Sequence, residues 1–178
     1  YDVTVKVEHL LKHSELLPVL RRTGCLFVTS AVESLDDDVL LRLDKGHTRA
    51  DFVEVVKRFR DAGLTLSPTF IPFTPWTNWE SYRDLLETIL ELDLIENVSP
   101  VQLALRLLVM NGSLLLDQVA PDWKHADPSI DALSALLLRL VAAEQRHGRP
   151  RAQIFGKRWK AAHSRSLPET FHLTPPPP

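Results

Sequence analysis

The chain of 178 residues holds a single cysteine, Cys25. No disulfide can form within it, so no disulfide framework supports the fold, and the expected compartment is a reducing one, the cytoplasm. No apolar run is long enough to cross a bilayer. The longest candidate, Leu103 to Met110, is interrupted by Arg106 and ends at Asn111-Gly112. No amino-terminal segment has the pattern of a secretory signal. A glycine-rich phosphate loop is missing too, which ranks a phosphate-binding half-barrel last among the function classes. Nor is there an excess of one charge: 21 Lys+Arg stand against 23 Asp+Glu, a net charge of -2. That balance argues against a surface built around nucleic-acid phosphates. No methionine opens the chain at Tyr1, so the natural protein is expected to extend further upstream.

What is present reads as a globular α/β protein. The apolar fraction of 44% is ordinary, and the length suffices for one domain with a core. Val3, Val5 and Val7 alternate with Thr4 and Lys6, which predicts a strand from Asp2 to Leu10. Ser14 then caps a short helix, Glu15 to Arg22, with Pro18 in its first turn and Gly24 as its stop. Cys25 to Ser30 has little alternation and reads as a strand buried on both faces. A helix opens at Ser34-Leu35-Asp36 and stops at Lys45-Gly46. Thr48 caps the next one, with Asp51 three residues on as a capping-box variant and Phe52, Val55, Val56 and Phe59 on its inner face.

Leu64 to Phe73 reads as the next strand, although Pro68 and Pro72 are awkward in a central one. Trp79 to Leu92 reads as a helix, Val98 to Leu108 as a further strand, and Ile130 to His147 as a long helix. Arg151 to Ser164 reads as a last helix, and Leu167 to Pro178 as an extended, disordered tail. The expected fold is α/β: a partial (β/α) TIM-like barrel of about four parallel strands with helices outside, followed by C-terminal helices. The expected division is a barrel portion over 1–128, a helical extension over 129–166 and the proline-rich tail over 167–178.

Several stretches resemble the radical S-adenosylmethionine (radical SAM) superfamily. Val28-Thr29-Ser30-Ala31-Val32-Glu33-Ser34, then Val39-Leu40, Leu43-Asp44-Lys45-Gly46-His47-Thr48 and Ala62-Gly63, is similar to that family's fourth strand and helix. Phe70-Ile71-Pro72-Phe73-Thr74-Pro75-Trp76-Thr77 resembles its fifth strand and Gly-x-Pro-Gly turn, with Phe73 and Trp76 in place of the glycines. Glu8-His9-Leu10-Leu11-Lys12 and Phe73 to Thr77 resemble a bacterial subgroup whose members often end in a cysteine- or selenocysteine-containing CCAEP or CUAEP tail, which this chain lacks. The resemblance covers roughly Asp2 to His147.

The resemblance implies a partial barrel that works with S-adenosylmethionine and a [4Fe–4S] cluster. It further implies an electron donor such as flavodoxin or ferredoxin; the charge balance and the lack of a spanning apolar run predict neither a nucleic-acid nor a membrane partner. The family's cluster sits on a Cys-x3-Cys-x2-Cys loop after the first strand, and Cys25 alone cannot supply those thiolates. Tyr1 therefore falls near the family's third strand, and this length of chain is not expected to catalyse the radical step unaided. By the resemblance, Glu33 contacts S-adenosylmethionine and Lys45 pairs with its methionine carboxylate; Ser30, Phe73 and Arg106 are further cofactor-side candidates.

Each has a bland alternative from the residues themselves: a solvated or capping Glu33, a Lys45 serving the helix dipole, and an aromatic Phe73 in the core. Arg106 stands inside an apolar run and needs a carboxylate, from the protein or from the cofactor. Glu8, His9 and Trp76 are the substrate-side candidates. His9 and His13 have i,i+4 spacing with no third ligand, so no metal site is assigned. The competing function is a non-catalytic α/β interaction module that uses the basic C-terminal helix, Arg146 to Arg165, as its contact surface.

Overall fold

The computed structural model describes residues 1–146. Three strands, β1 (Val3–Thr4), β2 (Val28–Glu33) and β3 (Leu66–Phe70), form one sheet in the order β1-β2-β3, all parallel. Helices α1 (Val7–Lys12) and α2 (Leu17–Arg22) connect β1 to β2; α3 (Asp37–Arg42) and α4 (Arg49–Asp61) connect β2 to β3. Helix α5 (Trp79–Glu91) follows β3, and α6 (Pro128–Arg146) follows a stretch of short 3-10 turns. This is the α/β, partial-barrel arrangement that the alternation of strands and helices predicts.

Local chemistry explains the main helices. Thr48 and Asp51 form a complete capping box at the start of α4, and Asn78 with Ser81 does the same for α5, each satisfying orphan N–H groups. Phe52, Val55, Val56 and Phe59 of α4 and Leu85 and Ile89 of α5 pack against Val28 and Val32 of β2 and Leu66 and Phe70 of β3. Each such fully buried side chain contributes about 1.5–3 kcal/mol.

Burial in β2 and β3 alternates strictly. Val28, Ser30 and Val32 face the helices, so β2 is not buried on both faces as its composition suggests. On the other face the residues of β2 are only half-buried. There the register aligns Thr4, Thr29 and Ser67 in one row and Ala31 with Thr69 in the next, a floor of small side chains.

The strand predicted over Asp2 to Leu10 is only two residues long. The period switches at Val7, where Val7 and Leu10, three apart, share the buried face of α1. Ser14 is not a helix cap: it opens a 3-10 turn, and its hydroxyl accepts a bond from Arg58 at 2.7 Å.

Val98 to Leu108 is not a strand either. Pro100 opens a 3-10 turn, and only Arg106 makes a bridge, with Phe73. Side chains satisfy the outer edge of β3 instead. Asn97 donates to the Leu66 carbonyl at 2.7 Å, and Gln102 accepts the Phe70 N–H at 3.1 Å. Pro68 shares that parity, so the N–H it lacks would point to the same strand-free edge, which is why a proline is tolerated there.

Two smaller apolar clusters complete the fold. One joins Leu107, Val109, Val119 and Trp123 to Leu43, Ile71 and Trp76. The other joins Phe73, Tyr82 and Ile130 to Trp79 of α5 and Leu133 of α6. The predicted helix Arg151 to Ser164 and the proline-rich tail lie outside the described residues. Among the described residues, no helix is long and apolar enough to cross a membrane.

Candidate functional site

In a parallel sheet the loops at the carboxyl ends of the strands gather functional side chains. Glu33 is the last residue of β2 and sits at φ 69°. That left-handed conformation is unfavourable for a residue with a long side chain. The register slips between Ala31 and Glu33, and the Ser34 N–H turns back onto the Val32 carbonyl at 2.9 Å. Strain of this kind persists where the surroundings enforce it, and it concentrates at functional sites.

Lys45 arrives from the end of α3. Asp44, at φ 50°, and Lys45 close that helix: the Asp44 N–H donates to the Leu41 carbonyl and the Lys45 N–H to the Leu40 carbonyl, both at 3.1 Å. This is a Schellman-type stop with aspartate in the left-handed position. With its main chain fixed, Lys45 extends its side chain to Glu33, and Nζ donates to Oε1 at 2.9 Å. The two side chains are 26% and 15% exposed, so the pair is reachable from solvent but partly shielded.

Glu8, in the first turn of α1, belongs to the same rim. Its Oε2 lies 3.1 Å from where a β-carbon on Gly46 would stand. His47, next in the chain, is buried, and its Nδ1 lies 3.2 Å from the Lys45 carbonyl oxygen. Sequence reasoning placed His47 only within a motif; between Gly46 and Thr48 it belongs to no apolar period that would mark it as buried. His9 is exposed on α1, and His13 meets Glu15 at 3.6 Å. Among the described residues, no group of three or more His, Cys, Asp or Glu is placed to hold a metal.

The other three predicted cofactor-side residues make no hydrogen bond to this rim pair. Ser30 is wholly buried on the helix side of β2, and its hydroxyl has no partner. Parity within the strand separates it from Thr29 and Ala31, which face the open floor. Phe73 is wholly buried, stacked on Tyr82 with ring centroids 5.0 Å apart, so its ring belongs to the core. Burial pushes the Tyr82 phenol upward, and its hydroxyl donates to the Leu103 carbonyl at 3.0 Å. Trp76 is half-buried beside Leu43 and Ile71, with the Arg42 guanidinium 5.0 Å from its ring centroid.

Arg106 finds its carboxylate inside the chain. It pairs with Asp131 at 2.5 Å, donates to the Trp123 carbonyl and lies 3.6 Å from the Trp123 ring centroid. Asp131 also accepts from His125 Nδ1 at 2.6 Å and from the His125 N–H at 3.2 Å. Burial opposes its ionisation, yet the Arg106 and His125 bonds outweigh burial and hold its carboxyl below the usual range. The need for a partner was legible in Arg106; that the partner is Asp131, 25 residues on, was not.

A cleft of about 410 Å³ opens on the helix side of the same edge, lined by Asp36, Arg49, Thr74, Asn78, Glu80 and Asp84 among others. Arg49 is spoken for there, by Asp84 at 2.6 Å and Thr88 at 2.7 Å. Neither Glu33 nor Lys45 lines this cleft.

The Glu33–Lys45 pair offers an anion-binding ammonium and a carboxylate side by side above a floor of small residues. A zwitterion, or a ligand with a carboxylate and hydroxyl groups, can be held by both. Separating a partly exposed pair costs about 1 kcal/mol or less, so a ligand can displace it.

No protein-family model matches the sequence, and no curated protein matches it. Solved structures do match. The cobalamin-dependent S-adenosylmethionine radical enzyme OxsB, with aqua-cobalamin bound, aligns with a TM-score of 0.54 at 13% identity over 92% of this chain and 33% of its own. The same enzyme with aqua-cobalamin and S-adenosylmethionine bound aligns equally well. Elp3 from the archaeon Methanocaldococcus infernus aligns with a TM-score of 0.52 at 14% identity over 86% of this chain and 43% of its own. The chain thus shares the fold of part of OxsB and Elp3 and spans a third to under a half of those chains.

Proposed function

We propose that this chain supplies part of the S-adenosylmethionine site, and part of the substrate wall, of a radical SAM enzyme acting on a substrate whose identity is open. The observation that carries the reading is the Glu33–Lys45 pair at the carboxyl end of the central strand, with Glu33 in a strained backbone conformation. The likeness to radical SAM barrels supports it, as does the floor of small residues beside the pair.

In this reading Lys45 Nζ takes the methionine carboxylate. Glu33 accepts hydrogen bonds from the ribose hydroxyls or the ammonium group, and Glu8 and Trp76 border the substrate side. Arg106 serves the fold through Asp131. The proposed subgroup, that of the CCAEP or CUAEP tails, rests on Glu8 to Lys12 and Phe73 to Thr77.

A [4Fe–4S] cluster does not fit the residues present. The one cysteine, Cys25, is buried ahead of β2, at the end of the sheet away from Glu33. No step is assigned to a cluster on this chain; in this reading its thiolates, and docking of a flavodoxin or ferredoxin, belong to polypeptide outside these 178 residues.

Calorimetric titration of the chain with S-adenosylmethionine tests the reading. Binding is expected, and Glu33→Gln is expected to weaken it by about 5- to 20-fold, as for loss of one charge-assisted hydrogen bond. Unchanged affinity in a folded Glu33→Gln chain removes Glu33 from the site.

A further inference from the structure

The Lys45-Gly46-His47 loop contains a histidine that packing alone does not explain. His47 is only 8% exposed, and its Nε2 is buried without a partner. A leucine would fill the same space without hiding an unpaired nitrogen, which is unfavourable. The other ring nitrogen accounts for the residue. Nδ1 lies 3.2 Å from the Lys45 carbonyl oxygen. A carbonyl oxygen only accepts, so Nδ1 is the donor and carries the proton.

That bond closes a short arch over Gly46, whose φ of 67° suits glycine and whose missing β-carbon leaves room for the Glu8 carboxylate. The Lys45 N–H is fixed from the opposite side by the Leu40 carbonyl. Both main-chain polar groups of Lys45 are therefore held, and its ammonium group sits 2.9 Å from Glu33.

We infer that His47 is a positioning residue: through its Nδ1–H it locks the Lys45 carbonyl and so aims the Lys45 ammonium group at Glu33. The inference rests on the reading of the rim as a cofactor site only for its final consequence, the effect on S-adenosylmethionine affinity. The packing and pairing it explains belong to the chain itself.

Long-range proton–nitrogen NMR on the unmodified chain reads the ring directly. A proton on Nδ1 is expected; a proton on Nε2 alone overturns the inference, whatever any variant does. Two variants then separate donor from bulk. His47→Asn keeps an amide N–H close to the Nδ1 position, whereas His47→Gln carries its amide to the Nε2 side.

The readout is acylation of Lys45 by an acetyl succinimidyl ester, mapped by mass spectrometry with exposed Lys57 as internal control. Release of Lys45 from Glu33 is expected to raise its acylation about threefold in His47→Gln, in keeping with the loss of a partly exposed ion pair. His47→Asn should match the unmodified chain, and Lys57 should be constant throughout. Equal Lys45 rates in all three chains overturn the inference.

Titration with S-adenosylmethionine separates this inference from the functional reading. Should Lys45 respond to His47 while Glu33→Gln leaves the affinity unchanged, the cofactor reading fails and the positioning role stands. Should affinity depend on Glu33 while Lys45 ignores His47, the positioning role fails and the cofactor reading stands.

Discussion

Replacing Asp131 with asparagine tests whether the Arg106 network anchors α6. The Asp131 carboxylate accepts from Arg106 Nη1, His125 Nδ1 and the His125 N–H. Asparagine keeps one acceptor oxygen, loses the charge, and leaves the Arg106 guanidinium without a counter-charge over Trp123. Breaking a fully buried pair costs about 3–5 kcal/mol, and an exposed one about 0–1. Arg106 and Asp131 are 28% and 29% exposed, between those limits, so the expected loss is about 2 kcal/mol.

Urea unfolding followed by far-ultraviolet circular dichroism measures that loss as a shift in midpoint at constant slope. The sign of the pH dependence follows from the lowered Asp131 carboxyl. A depressed folded pKa means that its contribution is present above the ordinary aspartate value of about 4. It is lost as pH falls through the folded value. Asp131→Asn should therefore flatten the stability profile at the acid end and lower it at neutral pH. A loss below about 0.5 kcal/mol at pH 7 refutes the argument, because the network would then behave as a surface pair.

Gly46→Ala should destabilise the chain by about 1–2 kcal/mol, since alanine resists a φ of 67°. The new methyl group also meets Glu8 Oε2 at 3.1 Å; adding Glu8→Ala should recover only that smaller steric part in thermal unfolding. Gln102→Met should cost about 1–3 kcal/mol by leaving the Phe70 N–H without its acceptor at the edge of β3. Hydrogen exchange should show the Phe70 amide losing protection in that variant while Val55 and Val56 in α4 keep theirs.

What was legible in the sequence was mostly local. Thr48 and Asp51 announce the start of α4 because a capping box needs only four residues. Strand, helix and turn signals around Glu33 and Lys45 were sufficient to predict a parallel sheet, and the structure brings that pair together at 2.9 Å. What was hidden depends on the third dimension. Val3, Val5 and Val7 alternate as in a strand, but α1 takes over at Val7, where the buried face of the helix claims Val7 and Leu10. The apolar run Val98 to Leu108 reads as a strand, whereas Asn97 and Gln102 satisfy the β3 edge with side chains.

The candidate site divides the same way. Ser30 belongs to the same motif as Glu33, yet strand parity turns it toward the helices. Phe73 belongs to the turn motif after β3, and its stacking on Tyr82, nine residues later, is a tertiary contact that no local pattern announces. The backbone strain at Glu33 left no trace in the sequence, because nothing local demands a left-handed glutamate.

Titrating S-adenosylmethionine into the isotope-labelled chain and following backbone amide NMR shifts tests the central claim most directly. The account predicts saturable shifts at Glu33, Ser34, Lys45 and Gly46, with the amides around Arg106 and Asp131 unmoved. Saturable shifts confined to other residues, or none at all, would contradict it.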